Sequence, residues 1–168
     1  MFAGPKAALR PFKAIVPAVR VFALTPGASV FALPLDDELI DRLHAAYGTG
    51  EWLSPDSDQE LRLTSSDMDF AARASLGTAL AWLETDYCGG IGWQAAAAWT
   101  SGELTMKPSL LAHTQNRPWT LRPINTALRV LGITAPGAGS QGDEFTAIGL
   151  PRYQSTQAIV GEAIEIPL

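Results

Sequence analysis

The sequence has a single cysteine, Cys88, and two histidines, His44 and His113. One thiol excludes an intramolecular disulfide framework and a cysteine-rich zinc site. Two imidazoles leave little from which to build a histidine metal centre, so neither a metal nor another cofactor is expected. Basic residues are scarce as well. Twelve Lys and Arg against seventeen Asp and Glu give a net charge of -5, the wrong sign for a nucleic-acid binder, which turns a basic face to the phosphates. Long apolar runs are missing: no stretch approaches the roughly 20 apolar residues that cross a bilayer. Pro17 and Arg20 also break up the apolar run near the start, before it reaches the length of an export signal. The expectation is therefore a cytoplasmic protein without a membrane or nucleic-acid partner.

What is present fits a globular chain. Its 168 residues are 47% apolar and 17% charged, enough for one domain with its own core and too apolar for disorder. The charge is unevenly placed. Residues 1–35 hold four basic side chains (Lys6, Arg10, Lys13, Arg20) and no acid, whereas the remainder holds eight basic and seventeen acidic ones, a balance of -9.

Residues 1–17 contain three prolines and no clear period, and read as a flexible or wrapped N-terminal arm ahead of a single α+β domain over 18–168. Residues 18–25 and 29–33 are β-branched and aromatic and flank Pro26-Gly27, the pair suited to the centre of a type II turn, which predicts a hairpin. Asp36 is placed to cap a helix to about Tyr47, with Leu35, Leu39, Ile40, Leu43 and Ala46 on one face, Asp37, Glu38 and Asp41 on the other, and Gly48 as its stop. His44 lies near the boundary of that apolar face, and no partner for it is visible. Residues 50–60 form an acidic surface loop that lacks the glycine and bidentate glutamate of a calcium loop. Thr64 or Ser65 caps a second helix to Leu76. Residues 107–122 read as a long connection, Pro123 opens a third helix ended by Gly132, and 134–142 is a glycine-rich linker. Asp143 then opens one short helical turn, and the tail after Tyr153 adds a final turn or an edge strand.

The unusual chemistry sits in residues 79–106, ALAWLETDYCGGIGWQAAAAWTSGELTM. It reads as three strands of an antiparallel β-meander with helices packed on one face. Ser101-Gly102 is a two-residue hairpin loop that sets Thr100 opposite Glu103 and Trp99 opposite Leu104. For the first hairpin, pairing Cys88 with Trp93 would bury Glu84 and Asp86 beside Ala95 and Ala97. Pairing Tyr87 with Trp93 and Leu83 with Ala97 avoids that cost, so this second register is expected. It leaves a polar face with Trp82, Glu84, Asp86 and Gln94 around a floor of Ala96 and Ala98, the candidate binding site. Gly89, Gly90 and Gly92 are assigned to the turn. Their spacing is not that of a dinucleotide fingerprint, and no helix follows. Glu84 and Asp86, about 7 Å apart on one strand face, have the spacing of an acid–base pair. Cys88 lacks a supporting histidine. No catalytic residue can be assigned.

The run LETDYCGGIGWQAAAAW, followed by PINTALRVLGI and DEFTAIGLPRY, resembles a widespread, uncharacterised family of small bacterial proteins. In that family the first block has the pattern E-x-x-(Phe/Tyr)-Phe-Gly-Gly-x-Gly-x-Gln-x-Ala-x-x-Trp. Glu84, Gly89, Gly90, Gly92, Gln94 and Trp99 match it, and Cys88 stands where phenylalanine is usual. The resemblance covers roughly residues 30–155 and implies no reaction. The small, acidic, cysteine-poor build is also similar to bacterial toxin-immunity proteins. The leading expectation is a non-enzymatic, immunity-like or regulatory protein whose acidic surface meets a basic protein partner. The alternative is a small-molecule or hydrolase-like site on the Glu84/Asp86/Gln94 face.

Overall fold

The computed structural model describes residues 1–23, 29–54, 61–88, 91–112, 115, 117–134, 164–166 and 168. Strand β1 (Phe2–Gly4), helix α1 (Lys6–Ile15), β2 (Val21–Ala23), β3 (Phe31–Leu33), α2 (Asp37–Tyr47) and α3 (Ser65–Ala74) precede the meander β4 (Ala79–Cys88), β5 (Ile91–Thr100) and β6 (Glu103–Ala112). A 3-10 turn at Trp119–Leu121, helix α4 (Pro123–Val130) and strand β7 (Ile164–Ile166) follow. The strands form one sheet in the order β6-β5-β4-β1-β3-β2-β7, and every pairing in it is antiparallel. The α+β class, helices packed on an antiparallel sheet, is the one expected.

The helices form where their ends are encoded. Asp36 accepts the Leu39 N–H at 2.9 Å, and Gly48 ends α2 at a φ of 84° that a side chain would strain. Thr64 and Asp67 cap α3 reciprocally, each side chain taking the other's N–H. At the end of α4, Ile133 N–H reaches Leu128 O and Gly132 N–H reaches Arg129 O, at 3.0 and 2.9 Å, the paired bonds of a Schellman motif. The predicted hairpin between residues 18 and 33 is the β2–β3 pair, in which Phe22 faces Ala32; its turn lies outside the described residues. So do the glycine-rich linker and the short turn expected after residue 134. The tail supplies an edge strand, β7, paired with β2.

Residues 1–17 are not an arm. β1 is inserted between β3 and β4, with Phe2 opposite both Leu33 and Trp82, and all three of its residues are buried. α1 holds Pro11 in its interior, a substitution that ordinarily costs about 3 kcal/mol. Its anchors offset this. Phe12 meets Phe2 at 5.0 Å and Phe70 at 4.8 Å between ring centroids, and Leu9 is fully buried.

The β5–β6 turn is as expected. Ser101 and Gly102 both take positive φ, 52° and 89°, the requirement of a type I′ hairpin, and Trp99 pairs with Leu104. The strand then runs on to Ala112, so the first part of the connection expected over 107–122 is β6. Two register shifts lie between Ala96 and Trp99, and Lys107 and Pro108 sit at the one between Ala96 and Ala98. A bulged edge bearing lysine and proline resists pairing with another strand.

The β4–β5 register is neither of the two weighed from the sequence, but it has the parity of the one rejected. Cys88 pairs with Ile91, Asp86 with Trp93 and Trp82 with Ala97, so Gly92 is a strand residue opposite Tyr87, and only residues 89 and 90 remain for the turn. Trp82, Glu84 and Asp86 therefore share a face with Ala95, Ala97 and Trp99. The carboxylate penalty that decided against this parity falls on Glu84 only in part and spares Asp86. The strands project past the helices at this end, leaving Asp86 exposed and Glu84 half-buried. Leu80 and Trp82, further in, are fully buried, and each stabilises this parity by about 1.5–3 kcal/mol.

Both faces of the sheet are covered, not one. Leu80, Trp82, Ala95, Ala97 and Trp99 form a core with Leu9 and Phe12 of α1, Leu39 and Leu43 of α2, and Phe70 and Ala74 of α3. On the opposite face Ala81, Leu83, Ala96 and Ala98 form a second core with Ile124, Ala127 and Leu128 of α4.

Candidate functional site

The four residues expected to share a polar face are divided between the two cores. Trp82, Glu84 and Asp86 lie on the α1–α3 side, and Gln94 lies on the α4 side. Trp82 is fully buried, and its indole Nε1 has no hydrogen-bond partner. The alanine floor is a seat for α4: Ala96 and Ala98 are fully buried beneath Ile124, Ala127 and Leu128. No open floor remains there to receive a small molecule.

Gln94 has a different task from the one expected. Its Oε1 accepts the Ile124 N–H at 3.4 Å, serving one of the donors that the first turn of α4 leaves unpaired. The glutamine of the Gly-Gly-x-Gly-x-Gln block thus meets the Pro-Ile-Asn block in space. These two motifs hold a helix onto a sheet.

Glu84 remains chemically unusual. Its Oε2 accepts the Arg62 backbone N–H at 3.0 Å, where the 61–64 segment crosses the end of β4. Burial raises its pKa above the ordinary 4.5. The Arg62 N–H bond, the Met1 amine and the Arg62 charge oppose that rise, while Asp86 adds to it. The Met1 amine donates to Leu83 O at 2.8 Å. Its own burial pushes its pKa down to about 5 against the pull of Glu84, with Arg62 lowering it further. The carboxyl's raised pKa and the amine's lowered one bring the two groups closer in proton affinity, but Asp86 is turned to solvent, so the acid–base pair expected from the Glu84–Asp86 spacing has unequal members.

The partner of His44 was not apparent from the sequence. Its Nε2 stands 3.5 Å from the Asp67 carboxylate, with the two side chains 13% and 12% exposed. Asp67 also accepts the Thr64 N–H and Oγ1–H, each at 2.9 Å, and Trp52 meets the imidazole edge-on at 5.8 Å between centroids. A histidine fixed by a carboxylate has the form of a general base. Here the carboxylate also caps α3, so the pair ties the last turn of α2 to the first turn of α3. Among the described residues no hydroxyl is hydrogen-bonded to the other ring nitrogen, and no group of three or more His, Cys, Asp or Glu could hold a metal. Nor is any described helix long and apolar enough to cross a membrane.

Among the described residues, a pair of oppositely charged helices is open to a partner. α1 exposes Arg10 and Lys13; α2 exposes Asp37, Glu38 and Asp41 with Arg42. Both stand on the same face of the sheet and pack against each other. The carboxylates of α2 follow from its pattern: Leu39 and Leu43 are buried, which forces the acids outward. Asp37 pairs with Arg62 at 3.4 Å and Glu38 with Arg42 at 3.1 Å, all four side chains more than half exposed. Neither a protein-family model, a curated protein nor a solved structure matches the chain.

Proposed function

We propose that the chain is a non-enzymatic binding protein, immunity-like or regulatory in type, whose acidic α2 surface receives a basic protein partner. The observation that carries this reading is the outward row Asp37, Glu38 and Asp41 on a helix whose other side is locked into the core. A rigid scaffold presenting like charges raises the association rate with a basic surface and turns nucleic acid away. Exposed ion pairs such as Asp37–Arg62 contribute about 0–1 kcal/mol each, so a partner's lysines and arginines can replace them at little cost. The small, acidic build and the resemblance noted above support the immunity-like form.

The test compares wild type with Asp37→Lys/Glu38→Lys/Asp41→Lys as immobilised bait for host proteins. The expected result is a basic protein, identified by mass spectrometry and rebound after purification, that is captured at about 20 mM salt and released at about 500 mM. Its capture should fall at least about tenfold with the reversed bait. Equal capture by both baits, or no capture at low salt, overturns the reading.

A further inference from the structure

The same face of the molecule carries both members of a complementary pair. Within Lys6–Ile15 the charged residues are Lys6, Arg10 and Lys13, a balance of +3 with no acid. Residues 36–47 hold Asp36, Asp37, Glu38 and Asp41 against Arg42, a balance of -3. Lys6, Arg10 and Lys13 follow one another at intervals of four and three, so they share one side of α1. That side borders the face of the buried Ala8, Leu9 and Phe12. Lys6 lies over the Phe31 ring at 5.4 Å, while Arg10 and Lys13 reach solvent. The acids of α2 point away from Leu39 and Leu43. Both helices belong to one layer and lie side by side, so a two-fold axis passing between them would place α1 of each copy over α2 of the other.

We infer that this face is self-complementary and that the occupant of the acidic α2 surface is the basic α1 surface of a second copy of this chain. The contact is isologous: every attraction occurs twice and the assembly closes as a dimer. The bulged, proline-bearing edge of β6 is a poor alternative route to pairing. The inference rests on the reading of α2 as a binding surface and names a particular partner for it.

Sedimentation velocity decides the matter, using the full chain and two variants, Arg10→Glu/Lys13→Glu and Asp37→Lys/Glu38→Lys/Asp41→Lys. Circular dichroism establishes that each variant is folded. Wild type should be dimeric at about 20 mM salt and dissociate at about 500 mM, because an exposed ionic interface is screened. Each variant alone confronts like charges and should be monomeric, with at least about a tenfold weaker dimer. An equimolar mixture of the two variants regains both attractions and should form a mixed dimer. Should a reversed chain not fold, Arg10→Gln/Lys13→Gln and Asp37→Asn/Glu38→Gln replace the pair, each expected to weaken the dimer.

A wild type that stays monomeric at low salt, or a variant that still dimerises alone, overturns the inference. So does a mixture that fails to associate. Monomeric wild type together with charge-dependent capture of a basic host protein would overturn self-association alone and leave the proposed function standing. A salt-sensitive dimer with no other captured partner would do the reverse.

Discussion

On one side of the β4–β5 pair, Leu80, Trp82 and Trp99 reach into a core shared with three helices. On the other, Ala81, Ala96 and Ala98 lie beneath α4 alone. The large side chains hold α1, α2 and α3 off the strands and fill the space between them. The alanines let one eight-residue helix come close enough to be held by three of its own side chains and by Gln94. The first face should suffer most from deletion, because its interior is filled by a few bulky groups. The second should suffer from addition, because its fit depends on having almost no side chain at all.

The sharpest way to break the contrast is Trp82→Ala, which empties the centre of the first face and should cost about 3–5 kcal/mol. Against a total stability of about 5–15 kcal/mol, that shift in the urea midpoint would be the largest of the substitutions considered. Trp82→Phe should cost much less. Its ring keeps most of the volume and removes an indole N–H that is buried without an acceptor, a defect worth about 1–3 kcal/mol. Near-equal losses for the two variants would mean that Trp82 is not the filler its burial indicates.

Ala98→Leu tests the second face. Overfilling a packed seat costs about 1–3 kcal/mol, and the strain should fall on α4, the helix that rests on Ala98. Hydrogen exchange at the Gly132 and Ile133 amides, which close that helix, should therefore quicken more than exchange within β5. Uniform acceleration across the sheet would show that α4 and the sheet open as one unit.

The same contrast explains how much could be read from the residues alone. α2, α3 and α4 were legible because their caps and stops are local: Asp36, Thr64 and Pro123 at the starts, Gly48 and Gly132 at the ends. The first two β5–β6 pairs followed from two turn residues, but the bulges beyond them, which set Met106 opposite Ala98 and not Ala97, did not. The β4 register did not, because it depends on where along the strand the helices stop covering it, which no local pattern states. A half-covered Glu84 and an open Asp86 were charged as if both were sealed. α1 and β1 were illegible for a related reason. A strand of three residues carries no period, and Pro11 obscured the helical spacing of Lys6, Arg10 and Lys13; both elements exist through Phe2, Phe12 and Phe70, which meet only in the folded chain. Gln94 was singled out rightly as unusual, but its helix-holding role needed α4 in place. The His44–Asp67 pair spans 23 residues, and only its capping half, Thr64 and Asp67, leaves a sequence trace.

The smallest effect expected is the one that separates the covered from the uncovered part of β4. Glu84 stands at that boundary, and burial has raised its pKa above 4.5. A raised carboxyl contributes stability in full below its unfolded value, and that contribution is lost as pH rises through the folded value. The Met1 amine, depressed from 8.0 to about 5, works in the opposite sense: its contribution is present above pH 8 and lost as pH falls toward 5. In wild type the two trends oppose each other. Glu84→Gln can still accept the Arg62 N–H, removes the first trend and, by taking away the charge that holds the Met1 pKa up, deepens the second. The variant should match wild type below about pH 4, gain on it as pH rises, and show a steeper increase of stability toward pH 8. Asp86→Asn, at an exposed position on the same strand face, should change the profile little. Urea midpoints measured from pH 4 to pH 8 give the comparison directly, and a Glu84→Gln difference that does not depend on pH would place Glu84 with Asp86, outside the covered part of the strand.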